Sequence, residues 1–186
     1  MLITLLDLER EPVRFDLSIP PGAIDYGGEA TQIGDLHVEG QAELLREHRG
    51  PREVIPDIRA RSKWSGVFEV PCARCLEPVR NPLGGEFDLI FRPLGVDAGP
   101  AERALGAPET EIGYYQEEGL VLEDVLREQV LLSLPARTLC RQDCKGLCPR
   151  CGLNLNTESC TCDAPSADPR WSALSDLRSR LGPGNH

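Results

Sequence analysis

Short apolar runs, several of them alternating with polar residues, recur through the first ninety positions of the chain. "LITLLDL" (2–8), "VRFDLSI" (13–19), "DLHVEGQAEL" (35–44) and "GEFDLIF" (85–91) each carry such a run. Pro20-Pro21-Gly22, Gly27-Gly28, Gly50-Pro51, Asn81-Pro82 and Gly84-Gly85 punctuate them, so they predict strands joined by turns. In "EFDLIF", Phe87, Leu89 and Phe91 fall on one face and Asp88 on the other. That period of two predicts an antiparallel sheet buried on one side. From Arg92 to Gly113, the stretch "RPLGVDAGPAERALGAPETEIG" is rich in Pro, Gly, Ala and acids and predicts a long flexible loop.

The period then changes. "GLVLEDVLREQVLLSLP" (119–135) puts Val121, Val125 and Leu132 on one helical face with Leu122, Leu126 and Val130 beside them, and Pro135 marks the end. A helix and a sheet each need a partner for the apolar face, which predicts that this helix lies across the sheet. Near the C-terminus, "DPRWSALSDLRSRLGPG" predicts a short helix with Asp168 as N-cap, Pro169 at its first position and Gly182-Pro183 as a stop. Its packing face is Trp171, Leu174 and Leu177 or Leu181. The fold class is therefore α+β: an antiparallel sheet-rich domain packed by one central helix, with a small cysteine-rich module and a short C-terminal helix. The division falls at 1–135, with its flexible loop near 93–113, and 136–186.

Composition is compatible with this picture. The 186 residues are 40% apolar, with 16 prolines and 18 glycines favouring short strands and many turns. A chain of this length can bury about 70% of its unfolded surface. The opening "MLITLLDLEREPVRFD" lacks a basic start and an adequate apolar stretch, and no run approaches the roughly 20 residues of a membrane span. These features predict a cytoplasmic protein with reduced thiols. Net charge is −10, unevenly spread: residues 97–128 hold nine acids against Arg103 and Arg127, whereas residues 46–80 hold eight basic residues against five acids. An overall acidic chain is a poor non-specific coat for nucleic acid, although local basic faces remain.

Chemistry concentrates in the thiols. Six of the eight cysteines fall within Cys140–Cys162, spaced Cys140-x3-Cys144-x3-Cys148-x2-Cys151-x8-Cys160-x-Cys162. "CPRCG" (148–152) is a turn in which two thiolates converge on one ion, and Zn²⁺ in a structural site takes four such ligands in a closed tetrahedron. Cys148 and Cys151 supply one pair. The other comes from Cys140 or Cys144 before it and Cys160 or Cys162 after it. Asn154 and Asn156 suit the turn between. The segment has few large apolar residues, so a structural zinc stands in for a core.

The remaining pair, Cys72 and Cys75 in "VPCARCLEPV", has three readings. A tight turn with reduced thiols is preferred. A redox pair is disfavoured by the flanking Pro71 and Pro78, since such motifs sit where a strand enters a helix. The third is a second metal site shared with two tail cysteines, eight thiolates for two ions. Only His37, His48 and His186 exist, and there is no H-E-x-x-H, G-x-S-x-G or phosphate-cradling loop, so the residues do not compose an enzyme. His37 is expected to face solvent.

"CARCLEPV" (72–79), together with the block from "VLREQVLLSLP" through "LCRQDCKGLCPRCGLNLNTESCTC" to "DPRWSALSDL", resembles the YceD family of large ribosomal RNA subunit accumulation proteins. The resemblance implies a non-enzymatic factor for accumulation or processing of large-subunit (23S) rRNA. The implied partners are an rRNA precursor or a ribosomal assembly intermediate. Under that expectation Arg46, Arg49, Arg52, Arg59, Arg61 and Lys63, with Trp64 and Phe68 nearby, form a candidate RNA-facing surface: cations position phosphates and an aromatic stacks an unpaired base. The bland alternative is a solvated arginine-rich hairpin with Trp64 in the core. The acids around Glu117 and Glu118 suit a basic ribosomal protein. The alternative function is a thiol-redox or zinc-dependent enzyme.

Overall fold

The structure, a computed structural model, describes residues 1–49, 53–96, 112–116 and 118–162. Its elements run β1 (Leu2–Thr4), α1 (Leu5–Arg10), β2 (Val13–Ile19), β3 (Thr31–Gln32), β4 (Leu36–Arg49), β5 (Glu53–Pro71), β6 (Pro78–Pro93), β7 (Ile112–Tyr115), β8 (Gly119–Val121) and α2 (Leu122–Ser133). The main sheet is ordered β2-β4-β5-β6-β7, with β3 pairing β5, and β1 pairs β8 in a separate two-stranded sheet. The described residues are thus sheet-rich with few helices. The C-terminal helix expected near 168–181 and most of the 93–113 loop lie outside the described residues.

Alternation builds the sheet. On β5, Ile58, Ala60, Ser62, Trp64 and Phe68 are buried. The register sets Ala42 and Leu89 beside Ala60, and Val38 and Gly85 beside Trp64. Gly85 has a reason: a Cβ there would lie 3.3 Å from Trp64 Nε1, so its absence lets the indole cover the strand. The opposite face carries a charge ladder, with Glu43 and Ile90 flanking Arg59, and Glu39 and Glu86 flanking Lys63. Phe87 and Phe91 are buried and Asp88 faces out.

Three expectations are corrected. The run at 2–8 is not one strand: Thr4 Oγ1 accepts a hydrogen bond from the Asp7 amide (3.2 Å), caps α1 and turns residues 5–10 into helix. The sheet is not wholly antiparallel, because β7 runs parallel to β6. On α2 the inward residues are Leu122, Val125, Leu126 and Val130, all in the main core cluster. Leu132 and Val121 are exposed, the latter being the helix N-cap and the end of β8. The helix ends at Ser133, two residues before Pro135, as a residue preceding proline avoids helical geometry.

Three polar side chains that enter the core, Arg92, Tyr26 and Tyr115, find partners there. Arg92 donates to both carboxylate oxygens of Asp57 (3.1 and 2.8 Å) and pairs with Glu47. Tyr26 packs edge-on against Phe68, its ring 5.4 Å away, and donates to Gln32 Oε1. Tyr115 donates to the Pro56 carbonyl (2.6 Å). Burial pushes both phenols up to about 12, with Asp57 adding to the effect at Tyr115. In the unfolded chain they ionise near 10, so the unfolded state sheds protons first. Their contribution is complete below pH ~10 and is lost as pH rises to about 12. Alkaline unfolding is therefore expected to steepen across that window, and the double variant Tyr26→Phe, Tyr115→Phe to flatten it. An unchanged pH profile would show that the two rings titrate in solvent.

Candidate metal centres

Strand β5 ends at Pro71 and β6 begins at Pro78, and the two prolines are register partners. The six residues between them make a tight turn. The Leu76 amide donates to the Cys72 carbonyl (3.0 Å), and the Cys72 amide donates to the Glu77 carbonyl (2.9 Å). Closing this turn puts Leu76 at φ +63°, a left-handed conformation costing a side-chain-bearing residue roughly 1–2 kcal/mol. The tail turn at Cys148–Leu153 has the same bonds: the Gly152 amide to the Cys148 carbonyl (2.9 Å) and the Cys148 amide to the Leu153 carbonyl (2.8 Å). Gly152 has φ +74°. The hairpin and the tail therefore carry one and the same thiol-presenting turn.

The eight cysteines, all free, sort into two groups of four: Cys72, Cys75, Cys140 and Cys144, and Cys148, Cys151, Cys160 and Cys162. Within each group every Sγ lies within 4.8 Å of the others, and each group can hold a metal ion. Cys72 and Cys144 sulfurs are 3.9 Å apart, and Cys75 and Cys140 sulfurs 3.6 Å. A disulfide requires about 2.0 Å. A tetrahedral ion with bonds of about 2.3 Å to sulfur sets its ligands about 3.8 Å apart. The separations exclude a disulfide and suit such an ion. Cys140 and Cys144 thus stand with the hairpin pair rather than with Cys148 and Cys151.

Docking of the tail on the hairpin explains this sorting. The Ala73 amide donates to the Thr138 carbonyl (2.8 Å) and the Leu147 amide to the Arg74 carbonyl (3.0 Å). Arg74 Nη1 donates to the Cys144 carbonyl (2.7 Å). Gly146, at φ +78°, lies so close that a Cβ would come within 3.0 Å of the Arg74 carbonyl oxygen. The two asparagines expected in the tail turn do more than turn it. Asn154 Oδ1 accepts from the Asn156 amide, and Asn154 Nδ2 donates to Glu77 (3.2 Å). Asn156 Nδ2 reaches Cys144 Sγ (3.3 Å) while its Oδ1 accepts from the Lys145 amide.

Electrostatics within each group are uneven. Cys72 is lowered to about 6, chiefly by the Arg74 amide and then by those of Cys140 and Cys75. Cys148 is lowered to about 6 by the Cys151 and Arg150 amides. Cys140, an exposed residue, is pushed up to about 12, first by desolvation and then by Cys75. Cys162 is pushed up to about 12, first by Cys151 and then by burial. Each group thus holds a thiolate in a cradle of amides, beside a thiol that resists ionising next to it. All four sulfurs of a group would ionise together at these distances only around a cation.

The family model described as large ribosomal RNA subunit accumulation protein YceD matches residues 60–178, a span that takes in all eight thiols. The chain belongs to the YceD family. It is 37% identical over 136 residues to uncharacterized proteins of Mycobacterium bovis and Mycobacterium tuberculosis, covering 68% of this chain and 61% of each relative. The chain thus spans about three fifths of the length of these mycobacterial relatives. A large ribosomal RNA subunit accumulation protein YCED homolog 1, chloroplastic, of Arabidopsis thaliana is 34% identical over 56 residues, 30% of this chain and 17% of the plant protein. No solved structure gives a significant match.

In this YceD-family chain the arginine-rich face is self-neutralised. Arg59 makes paired hydrogen bonds to Asp88 (2.7 and 2.6 Å), Arg61 bonds Glu43 (3.0 Å), and Lys63 lies 3.9 Å from Glu86. Asp88 is held below the usual carboxylate range, chiefly by Arg59. Trp64 is 4% exposed and Phe68 fully buried, and both belong to the core, which for Trp64 is the alternative set beside the RNA-facing reading. Arg46 is exposed at the far end of β4, whereas Arg52 and the Arg49 side chain lie outside the described residues. Glu117 also lies outside them. His37 faces solvent, hydrogen-bonded through Nδ1 to Ser18 (2.8 Å).

Proposed function

We propose that this YceD-family chain is a non-enzymatic ribosome biogenesis factor of the cytoplasm, supporting accumulation and processing of large-subunit rRNA by binding an rRNA precursor or an assembly intermediate. The supporting observation is family membership, together with a thiol inventory gathered into closed fours. The tail group Cys148, Cys151, Cys160 and Cys162 fits a structural Zn²⁺, which would supply the folding energy that the segment's few apolar residues cannot. Residues 1–135 act as the strand-rich domain, with α2 as its central packing helix, and residues 136–186 as the zinc-bearing tail. No helix among the described residues is long and apolar enough to cross a membrane.

In this reading the RNA contact is made by cations with no acidic partner among the described residues. Arg137, Lys145 and Arg150, in and beside the thiol module, meet that condition, as does Arg46. The ladder of Arg59, Arg61 and Lys63 is already matched by acids. Binding to large-subunit rRNA fragments is expected to lose about one unit of salt slope for each of Arg137, Lys145 and Arg150 changed to Gln. Arg59→Gln is expected to change it little. Equal effects would return the contact to the strand face. No effect from any of them would favour a basic ribosomal protein as the partner.

The functional reading is tested by depleting the protein from cells. A fall in the ratio of large- to small-subunit rRNA, with unprocessed large-subunit precursor accumulating, is the expected result. An unchanged ratio with normal processing contradicts it.

A further inference from the structure

We infer that Cys72, Cys75, Cys140 and Cys144 form a second metal site, holding its own Zn²⁺, and that this ion is the clamp fastening the tail to the β5–β6 hairpin. The inference concerns the metal content of the fold and stands whether or not the chain acts on rRNA.

Three independent features carry it. The hairpin turn repeats the tail turn bond for bond, down to a left-handed residue after the second cysteine, here Leu76 where the tail has Gly152. A side chain held in that conformation marks a turn shaped by what it presents, namely two sulfurs on one side. The sulfurs across the group, Cys72 to Cys144 and Cys75 to Cys140, stand at the ligand separations of a single tetrahedral ion. Finally, Cys72, Cys75 and Cys144 are buried in their own small cluster with Val79, Leu139 and Leu147, apart from the main core. Three desolvated thiols in so small a cluster provide little burial energy to hold together segments 65 to 72 residues apart in the chain. An ion bonded to all four sulfurs does.

The same geometry argues against a dithiol redox pair. Cys72, the sulfur best cradled for attack, is 0% exposed, so an incoming disulfide has no route to it. Four thiolates in a tetrahedron suit Zn²⁺, with iron as the competing occupant. The two ions also differ in access: the hairpin group has three buried cysteines, whereas Cys151 and Cys162 of the tail group are exposed.

Metal analysis of the purified full chain tests this. Two zinc ions per chain are expected. The double variant Cys75→Ser, Cys140→Ser is expected to bind one while its tail thiols stay protected from alkylation. Cys160→Ser is expected to lose the other ion and leave Cys72 and Cys75 protected. With a strong chelator, wild-type zinc should leave in two equal phases, the tail ion first. That measurement needs no variant to fold. One zinc per chain with Cys72 and Cys75 freely alkylated, release in a single phase of one equivalent, or iron in place of zinc would each overturn the assignment.

Discussion

Leu126→Asp is expected to leave little folded protein at room temperature. Leu126 is 0% exposed in the middle of α2, within the cluster that joins the helix to residues of the main sheet. A carboxylate placed there sits in an apolar cluster and loses its hydration. It must either protonate or drag water inward, at a cost of several kcal/mol on top of the lost apolar burial. Domains of this size are stable by about 5–15 kcal/mol in total, so the single change consumes most of that margin. The matched control is Leu132→Asp, six residues along but 72% exposed, which is expected to shift stability by no more than about 0.5 kcal/mol. Urea unfolding followed by circular dichroism measures both. A Leu126→Asp midpoint equal to wild type would show that α2 does not seal the core.

Cys148→Ser carries the second large effect. It removes one of four donors from the tail group, and the metal-coupled folding energy of such modules is about 10–16 kcal/mol. The apolar side chains of the segment, Leu147, Leu153 and Leu155, are each only partly buried and cannot replace that contribution. The expected variant keeps its sheet signal and its hairpin thiols, loses protection beyond Gly146, and is cut there by protease. Its thermal transition for the sheet should stay close to wild type, because β2–β6 and α2 share the core without the tail thiols. Unchanged protease resistance and metal content would contradict the role given to the tail group.

How much of this was legible depended on whether the signal was local. Strand β2 is readable because Val13, Phe15, Leu17 and Ile19 alternate with Arg14, Asp16 and Ser18, and its ends match the run from 13 to 19. Helix α1 was also locally written, in Thr4-x-x-Asp7, but the surrounding leucines mask it when only the period of two is sought. The 19 residues of β5 are harder to see. Its inward positions include Ala60, Ser62 and Gly66, too small or polar to register as an apolar face, while Arg59, Arg61 and Lys63 suggest a free basic patch. Only the register shows Glu43, Asp88 and Glu86 beside them.

The thiol groups divide in the same way. The tail turn is readable from "CPRCG", because Gly152 supplies the left-handed residue that the turn requires. The hairpin turn hides the same geometry behind Leu76, although Pro71 and Pro78 bracket it as the ends of two long strands. That Cys140 and Cys144 stand with Cys72 and Cys75 follows from where the hairpin tip meets residues 138–147. Spacing along the chain does not encode that meeting.

X-ray absorption at the zinc edge of the purified chain bears most directly on the claim that the thiols build closed cages and perform no chemistry. Four sulfur neighbours at about 2.3 Å, with no oxygen or nitrogen in the inner shell, is the expected spectrum. A mixed shell containing a light atom, and so an open coordination position, would contradict it.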